Sequence, residues 1–159
     1  MTSTANLRRI QNEIKNLQLK AAEYEKMFKI NMVDDDMYHW NVTLYGPEDS
    51  LYSGYEFQLD TLLPNTYPFE PPRVKFLTSI QHVNINNNGD ICLDILKNNW
   101  SASQNMTSVM ISIIALLSQP NTDDPLNHEL GELYRKNKTL YADRIKDNCK
   151  KHCKKIVVV

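Results

Sequence analysis

A single α+β domain is the architecture this sequence predicts, and three observations carry the prediction. An amphipathic helix opens the chain, short β-type runs joined by brief links follow it, and helical periodicity returns in the last third. At 159 residues, with 42% apolar and 23% charged side chains, the chain has the composition of an ordinary globular protein. A domain of this size buries roughly 70% of its unfolded surface and needs no disulfide staples.

Leu7, Ile10, Ile14 and Leu17 fall at spacings of three and four, with Arg8, Arg9, Glu13 and Lys15 between them. This is the stripe of a helix packed on a sheet, with Ser3 or Thr4 as a candidate cap and a basic outer face. Met37 to Leu44 is rich in aromatic and β-branched residues and runs into the Gly46-Pro47 turn, which predicts a strand. Tyr55 to Asp60 predicts a second. The stretch from Leu63 to Pro72 holds four of the seven prolines and must be extended loop. Arg73 to Leu77 predicts a third strand, and the short links make an antiparallel meander. From Thr78 to Trp100 no period is sustained, and Asn84, Asn86, Asn87, Asn88, Gly89 and Asp90 supply turn chemistry. Unstructured runs of that length inside a domain are usually functional. Val109, Met110, Ile113, Ile114, Leu116 and Leu117 then predict a buried helix stopped at Pro120, with shorter helices near Asn127 to Arg135 and Leu140 to Cys153. The expected organisation is one core domain over residues 1–155 and a short apolar tail at 156–159.

Composition excludes several classes. The four glycines, Gly46, Gly54, Gly89 and Gly131, are followed by no lysine and never stand two apart, so neither a P-loop nor a dinucleotide fingerprint can be written. No cofactor is therefore expected. Three cysteines form no even framework, which suits a reducing compartment. The amino terminus lacks an apolar run after its charges, and the longest apolar stretches are far too short to span a membrane. A cytoplasmic location, with nuclear access, is the expectation, with no membrane and no nucleic acid as partner. The net charge of -1 conceals segregation: residues 1–30 sum to +3, residues 31–130 to -10 and residues 131–159 to +6. Such a pattern bears on partners and steering rather than on fold.

Cys92 stands between Ile91 and Leu93, so it reads either as a small buried hydrophobe or as a reactive thiol. The long loop around it, the turn signals before it and the flanking Asp90 and Asp94 favour the second. A hydrolase of cysteine type, with His82 as base, calls for an electropositive site, which the acidic centre does not offer. A thiol that receives an already activated acyl group by thioester exchange needs less intrinsic reactivity.

Trp40, Gly46-Pro47, Tyr67-Pro68-Phe69-Glu70-Pro71-Pro72, His82-Val83-Asn84, Gly89-Asp-Ile-Cys92-Leu-Asp-Ile-Leu96, Trp100-Ser101 and Pro120-Asn-Thr-Asp-Asp-Pro125-Leu resemble the landmarks of ubiquitin-conjugating enzymes. The likeness is collinear from about Leu7 to Cys149. It implies an amino-terminal helix, a four-stranded antiparallel meander, a long active-site loop, a central helix and carboxy-terminal helices. It also implies that Cys92 accepts ubiquitin as a thioester from the ubiquitin-activating enzyme and passes it to lysines of substrate proteins, usually with a ubiquitin ligase, the chain acting as a monomer. Asn84 matches an asparagine that either stabilises an oxyanion or holds the loop; it reads equally as a turn former. Asp124 matches an acid that orients and deprotonates the incoming lysine, and reads otherwise as a helix cap or solvated loop acid. Asp94 matches a further acidic position beside the thioester. His82 and Trp100 match structural positions of the loop. Arg8, Arg9, Phe69 and Ser101 match partner-binding positions, although Arg8 and Arg9 also suit a plain solvated helix face.

This sequence departs from the pattern in three places. Val83 replaces a proline, which predicts altered loop order with retained activity. Ser101-Ala102-Ser103 replaces the frequent Ser-Pro-Ala, which predicts ligase binding with a changed repertoire. Tyr24 to Val33 differs in length and sequence, so noncovalent ubiquitin binding on the sheet does not carry over. At the other end, Cys149-Lys-Lys-His152-Cys153 lacks the second ligand cluster that a zinc site wants, and no metal is expected.

Overall fold

The computed structural model describes residues 4–157. Helix α1 spans Thr4–Leu19 and a single further turn, α2, spans Ala21–Tyr24. Ile10 is fully buried, while Leu7, Ile14 and Leu17 are partly covered, as their spacing requires. Thr4 lies within the helix; Ser3 lies outside the described residues.

Four antiparallel strands follow in meander order: β1 Phe28–Val33, β2 Asp36–Tyr45, β3 Tyr55–Leu62 and β4 Arg73–Phe76. Trp40, Val42, Leu44, Phe57, Leu59 and Phe76 point to the core. The strand β1 escaped the reading of the residues themselves. Phe28, Ile30 and Met32 do alternate with Lys29 and Asn31, but an Asp-Asp turn closes the hairpin instead of a glycine signal. A two-residue strand, β5 (Lys154–Lys155), pairs with Tyr55 and Glu56 of β3, covering the part of that edge which β4 does not reach. Ile156 then donates its N–H to the Gly54 carbonyl at 2.9 Å, so the start of the apolar tail is tied to the end of the sheet.

The inner face of the sheet packs on α3, Met106–Ser118, of which Met106, Val109, Met110, Ile113, Leu116 and Leu117 are buried. Helices α4 (His128–Lys136) and α5 (Lys138–His152) complete the core through Leu130, Tyr141, Ile145 and Cys149. Asn105, Asn127 and Asn137 cap α3, α4 and α5 by accepting from the N–H three residues on. Among the described residues no helix is long and apolar enough to cross a membrane.

The long loop between β4 and α3 contains only one turn of 3-10 helix, Asp94–Leu96, and is held by individual bonds. His82 is fully buried; its Nε2–H donates to Leu116 O at 2.8 Å and its Nδ1 accepts from Asn84 N–H at 2.9 Å. That pattern needs the neutral ring. Gly89 sits at φ +85° with Phe76 O only 2.0 Å from where a Cβ would stand, while its own carbonyl accepts from Phe76 N–H. Only glycine fits there.

Burial lowers the His82 pKa from 6.5 to about 4, against the smaller opposing effect of the Leu116 bond. Below pH 6.5 the unfolded chain binds a proton that the folded chain refuses, so stability falls as pH drops towards 4, by on the order of 3 kcal/mol in all. Denaturant titrations between pH 7 and 4 should show this acid slope in the native protein and a shallower one in His82→Gln. Asp34 and Asp35 both hold left-handed backbone, at φ 53° and 58°, in the tight β1–β2 turn. The paired substitutions Asp34→Asn and Asp35→Gly should raise stability by about 1 kcal/mol, measured by thermal or chemical unfolding.

Candidate active site

Cys92 ends the irregular half of the long loop. The bridges of Ile85 to His82 and to Ile91 fold that segment back on itself, and Cys92 N–H donates to Asn84 O at 2.8 Å. The thiol is partly exposed. Two charged groups flank it: Asp124 Oδ2 at 3.8 Å and Lys97 Nζ at 4.0 Å. A thiol, a carboxylate and a cation thus converge, the thiol and cation from the long loop and the carboxylate from the loop after α3.

Asn84, 0% exposed, sets that convergence. Its Oδ1 accepts from Asn121 N–H at 2.8 Å, and its Nδ2 donates to the carbonyls of Asn121 at 2.8 Å and Asp124 at 3.3 Å. Both amide hydrogens are committed to the 121–124 loop. Of the two roles the resemblance offers, the ground-state geometry fills the loop-holding one. Val83, at the position of the missing proline, is buried, and its carbonyl accepts from the N–H groups of Leu126 and Asn127, both at 2.9 Å. Bonds on either side of Val83 therefore supply rigidity that a proline ring would otherwise lend. Asp94 is exposed at the start of the 3-10 turn, where its backbone carbonyl accepts from Lys97 and Asn99. The acid in contact with the thiol is Asp124.

At the other end of the loop, Trp100 donates Nε1–H to Pro68 O at 2.9 Å and its ring lies 5.8 Å from that of Tyr67. This clamps the loop after the 3-10 turn onto the proline-rich loop. Glu13 joins both to α1: Oε2 accepts from Tyr67 Oη and from Arg9 Nε, and Oε1 accepts from Met106 N–H at 2.9 Å at the start of α3. Burial, reinforced by the Glu13 carboxylate, holds the Tyr67 phenol well above its usual pKa, so it stays a donor. Arg9 donates further to Ala102 O at 2.7 Å and to Gln104 O. Arg9 is therefore an internal brace, whereas Arg8 and Ser101 are exposed and Phe69 is 74% exposed on the neighbouring loop.

Three residues of this arrangement were absent from the sequence reading of the site. Lys97 carried a signal, being the one lysine or arginine between Lys75 and Arg135, but its proximity to Cys92 needs the 3-10 turn. Asn121 acts through its backbone, which leaves no side-chain signature. Glu13 looked like one more polar residue on an amphipathic helix, because the groups it bonds are 54 and 93 residues away.

Comparison with known proteins agrees with this geometry. A family model described as ubiquitin-conjugating enzyme matches residues 9–149. An Acanthamoeba polyphaga mimivirus protein named "Probable ubiquitin-conjugating enzyme E2 L460" is 50% identical over 153 residues, which is 96% of this chain and 97% of that one. Two solved structures superpose closely. A Toxoplasma gondii ubiquitin conjugating enzyme E2 domain is similar at a TM-score of 0.84 with 32% identity, over 93% of this chain and 99% of its own. A Plasmodium yoelii crystal structure described as "a putative ubiquitin conjugating enzyme" is similar at a TM-score of 0.87 with 33% identity, over 98% of this chain and 100% of its own. Fold, landmarks and whole-length likeness converge: the chain belongs to the ubiquitin-conjugating enzyme family.

Proposed function

We propose that this chain accepts ubiquitin as a thioester on Cys92 from the ubiquitin-activating enzyme and transfers it to a lysine of a substrate protein. The observation that carries the reading is the thiol held 3.8 Å from the Asp124 carboxylate by a loop built around Asn84. Acyl exchange breaks the donor's thioester and forms a new one at Cys92 Sγ, so no nucleotide is needed here. The substrate amine then approaches the thioester carbonyl from the side of Asp124, which accepts its hydrogen bond and then its proton. As the carbon–sulfur bond breaks, negative charge returns to Cys92 Sγ, where the Lys97 ammonium at 4.0 Å opposes it.

The end of the domain formed by α1, the proline-rich loop and residues 97–105 is the proposed docking surface for the activating enzyme and for ubiquitin ligases. Arg8, Phe69 and Ser101 offer exposed groups there, and Arg9 keeps the loops in register beneath them. A cytoplasmic and nuclear site of action suits the three free thiols.

Incubation with activating enzyme, ATP and ubiquitin should give a thiol-sensitive adduct on nonreducing gels that is absent from Cys92→Ala; failure to charge with ubiquitin under these conditions refutes the reading. Asn84→Ala should lower stability by about 1–3 kcal/mol in denaturant, since it strands buried backbone groups, and should slow discharge of the thioester to free lysine. A purely oxyanion-stabilising residue would slow discharge with stability unchanged. Asp124→Ala should slow discharge at pH 7 by on the order of 100-fold, with the defect shrinking as pH rises towards the lysine pKa. A defect constant across that pH series would point to a structural role instead.

A further inference from the structure

The charging reaction has no use for the two thiols near the carboxy terminus, yet the fold places them together. Cys149 is fully buried on the last turns of α5, and Cys153 follows the helix with φ -106° and ψ 147°, partly exposed. Cys153 N–H donates to the Cys149 carbonyl at 3.0 Å, so the two residues stand on the same face across the last helical turn. We propose that Cys149 and Cys153 form a reversible oxidation site, closing to an intramolecular disulfide when a peroxide reaches the exposed end of α5.

The geometry permits closure. Helical rise and radius put positions i and i+4 about 6 Å apart at Cα, inside the window of roughly 4.4–6.8 Å that disulfides use. The Cβ atoms must draw closer than the separation of about 5–6 Å usual across one helical turn. Cys153 can supply that movement, because it has already left helical geometry and its side chain lies on the solvent side of the pair. Exposed Lys150, Lys151, Lys154 and Lys155 flank it in the chain, of which Lys151 pairs with Asp147 at 3.0 Å and Lys154 with Glu56 at 3.3 Å. The neighbouring Cys149 thiol also holds the Cys153 thiol below its ordinary pKa, while the same neighbour and burial push Cys149 up. The pair thus divides into an accessible attacking sulfur and a sheltered resolving one.

The Cys153 thiolate attacks the peroxide oxygen; the O–O bond breaks, hydroxide or alkoxide leaves, and a sulfenic acid remains. The Cys149 sulfur attacks that sulfur, water departs with the Cys149 proton, and the disulfide forms. With hydrogen peroxide two thiols become one disulfide and two waters.

Closure has a consequence beyond the pair. Cys153 Sγ–H donates to Ser79 O at 3.5 Å, beside the Asn148 Nδ2 donation to the same carbonyl at 3.2 Å. Ser79 lies three residues before His82 in the long loop, and β5 begins directly after Cys153. Oxidation removes the thiol donor from Ser79 and strains the strand that follows.

The test treats the full-length protein with stoichiometric hydrogen peroxide, blocks remaining thiols and digests with trypsin. Cleavage at Lys150 and Lys151 separates the two cysteines, so the disulfide appears as a cross-linked pair of peptides lighter by two hydrogens. That species in monomeric protein, reversed by dithiothreitol, absent from Cys153→Ser and accompanied by faster amide exchange at Ile156, supports the proposal. Sulfinic acid on Cys153 without the cross-link, bonds from either cysteine to Cys92, or dimers joined between chains would each overturn it.

Discussion

One residue joins the two halves of the candidate active site. The backbone carbonyl of Asn84 holds the N–H of Cys92, and its side-chain amide holds the backbone of Asn121 and Asp124. The separation of thiol and carboxylate is thereby fixed through a single fully buried residue. A free amide at that depth would be costly, and three satisfied bonds remove the cost while giving the loop one arrangement. His82 secures the same point from below by accepting from Asn84 N–H and donating to the end of α3. The loop that carries Cys92 has almost no regular structure of its own because these bonds stand in for it.

A second junction performs the same service for the surface where partners are proposed to dock. Glu13 gathers Arg9, Tyr67 and the start of α3, and Trp100 reaches back to Pro68. The exposed groups differ in kind from the braces beneath them: Phe69 and Arg8 face outward, while Arg9, their neighbour in sequence or space, is spent internally. Charge follows the same division. The acidic centre of the chain supplies Asp124 beside the thiol, and Lys97 is the cation on its other flank. The helices at either end of the chain carry the opposite sign from this acidic centre.

Much of the scaffold was legible in the residues, for reasons of periodicity and punctuation. The stripe of Leu7, Ile10, Ile14 and Leu17 became α1, the strand of Met37 to Leu44 became most of β2, and Pro120 ended α3 where proline must. Local patterns survive folding when one face is buried along a whole element. The hairpin strand β1 did not announce itself, since its turn uses aspartates in left-handed backbone, a conformation that sequence assigns first to glycine or asparagine. The two-residue β5 was equally hidden, because its reason for existing is an unpaired stretch of β3 a hundred residues away.

From the residues alone it followed that there would be one α+β domain without a nucleotide loop, that its long irregular segment would hold the chemistry, and that Cys92, Asn84 and Asp124 belonged to a family pattern. These rest on composition, period and the order of short motifs, all of which are local. Folding settled which acid touches the thiol, Asp124 and not Asp94, although Asp94 is far nearer in the chain. It settled too that Arg9 braces and Arg8 faces solvent, that Lys97 stands beside Cys92, and that Cys153 meets Ser79. The Lys97 contact rests on the local 3-10 turn; the others depend on backbone carbonyls and amides brought from distant segments, and backbone groups are the same at every position, so no side-chain pattern could record where they would meet.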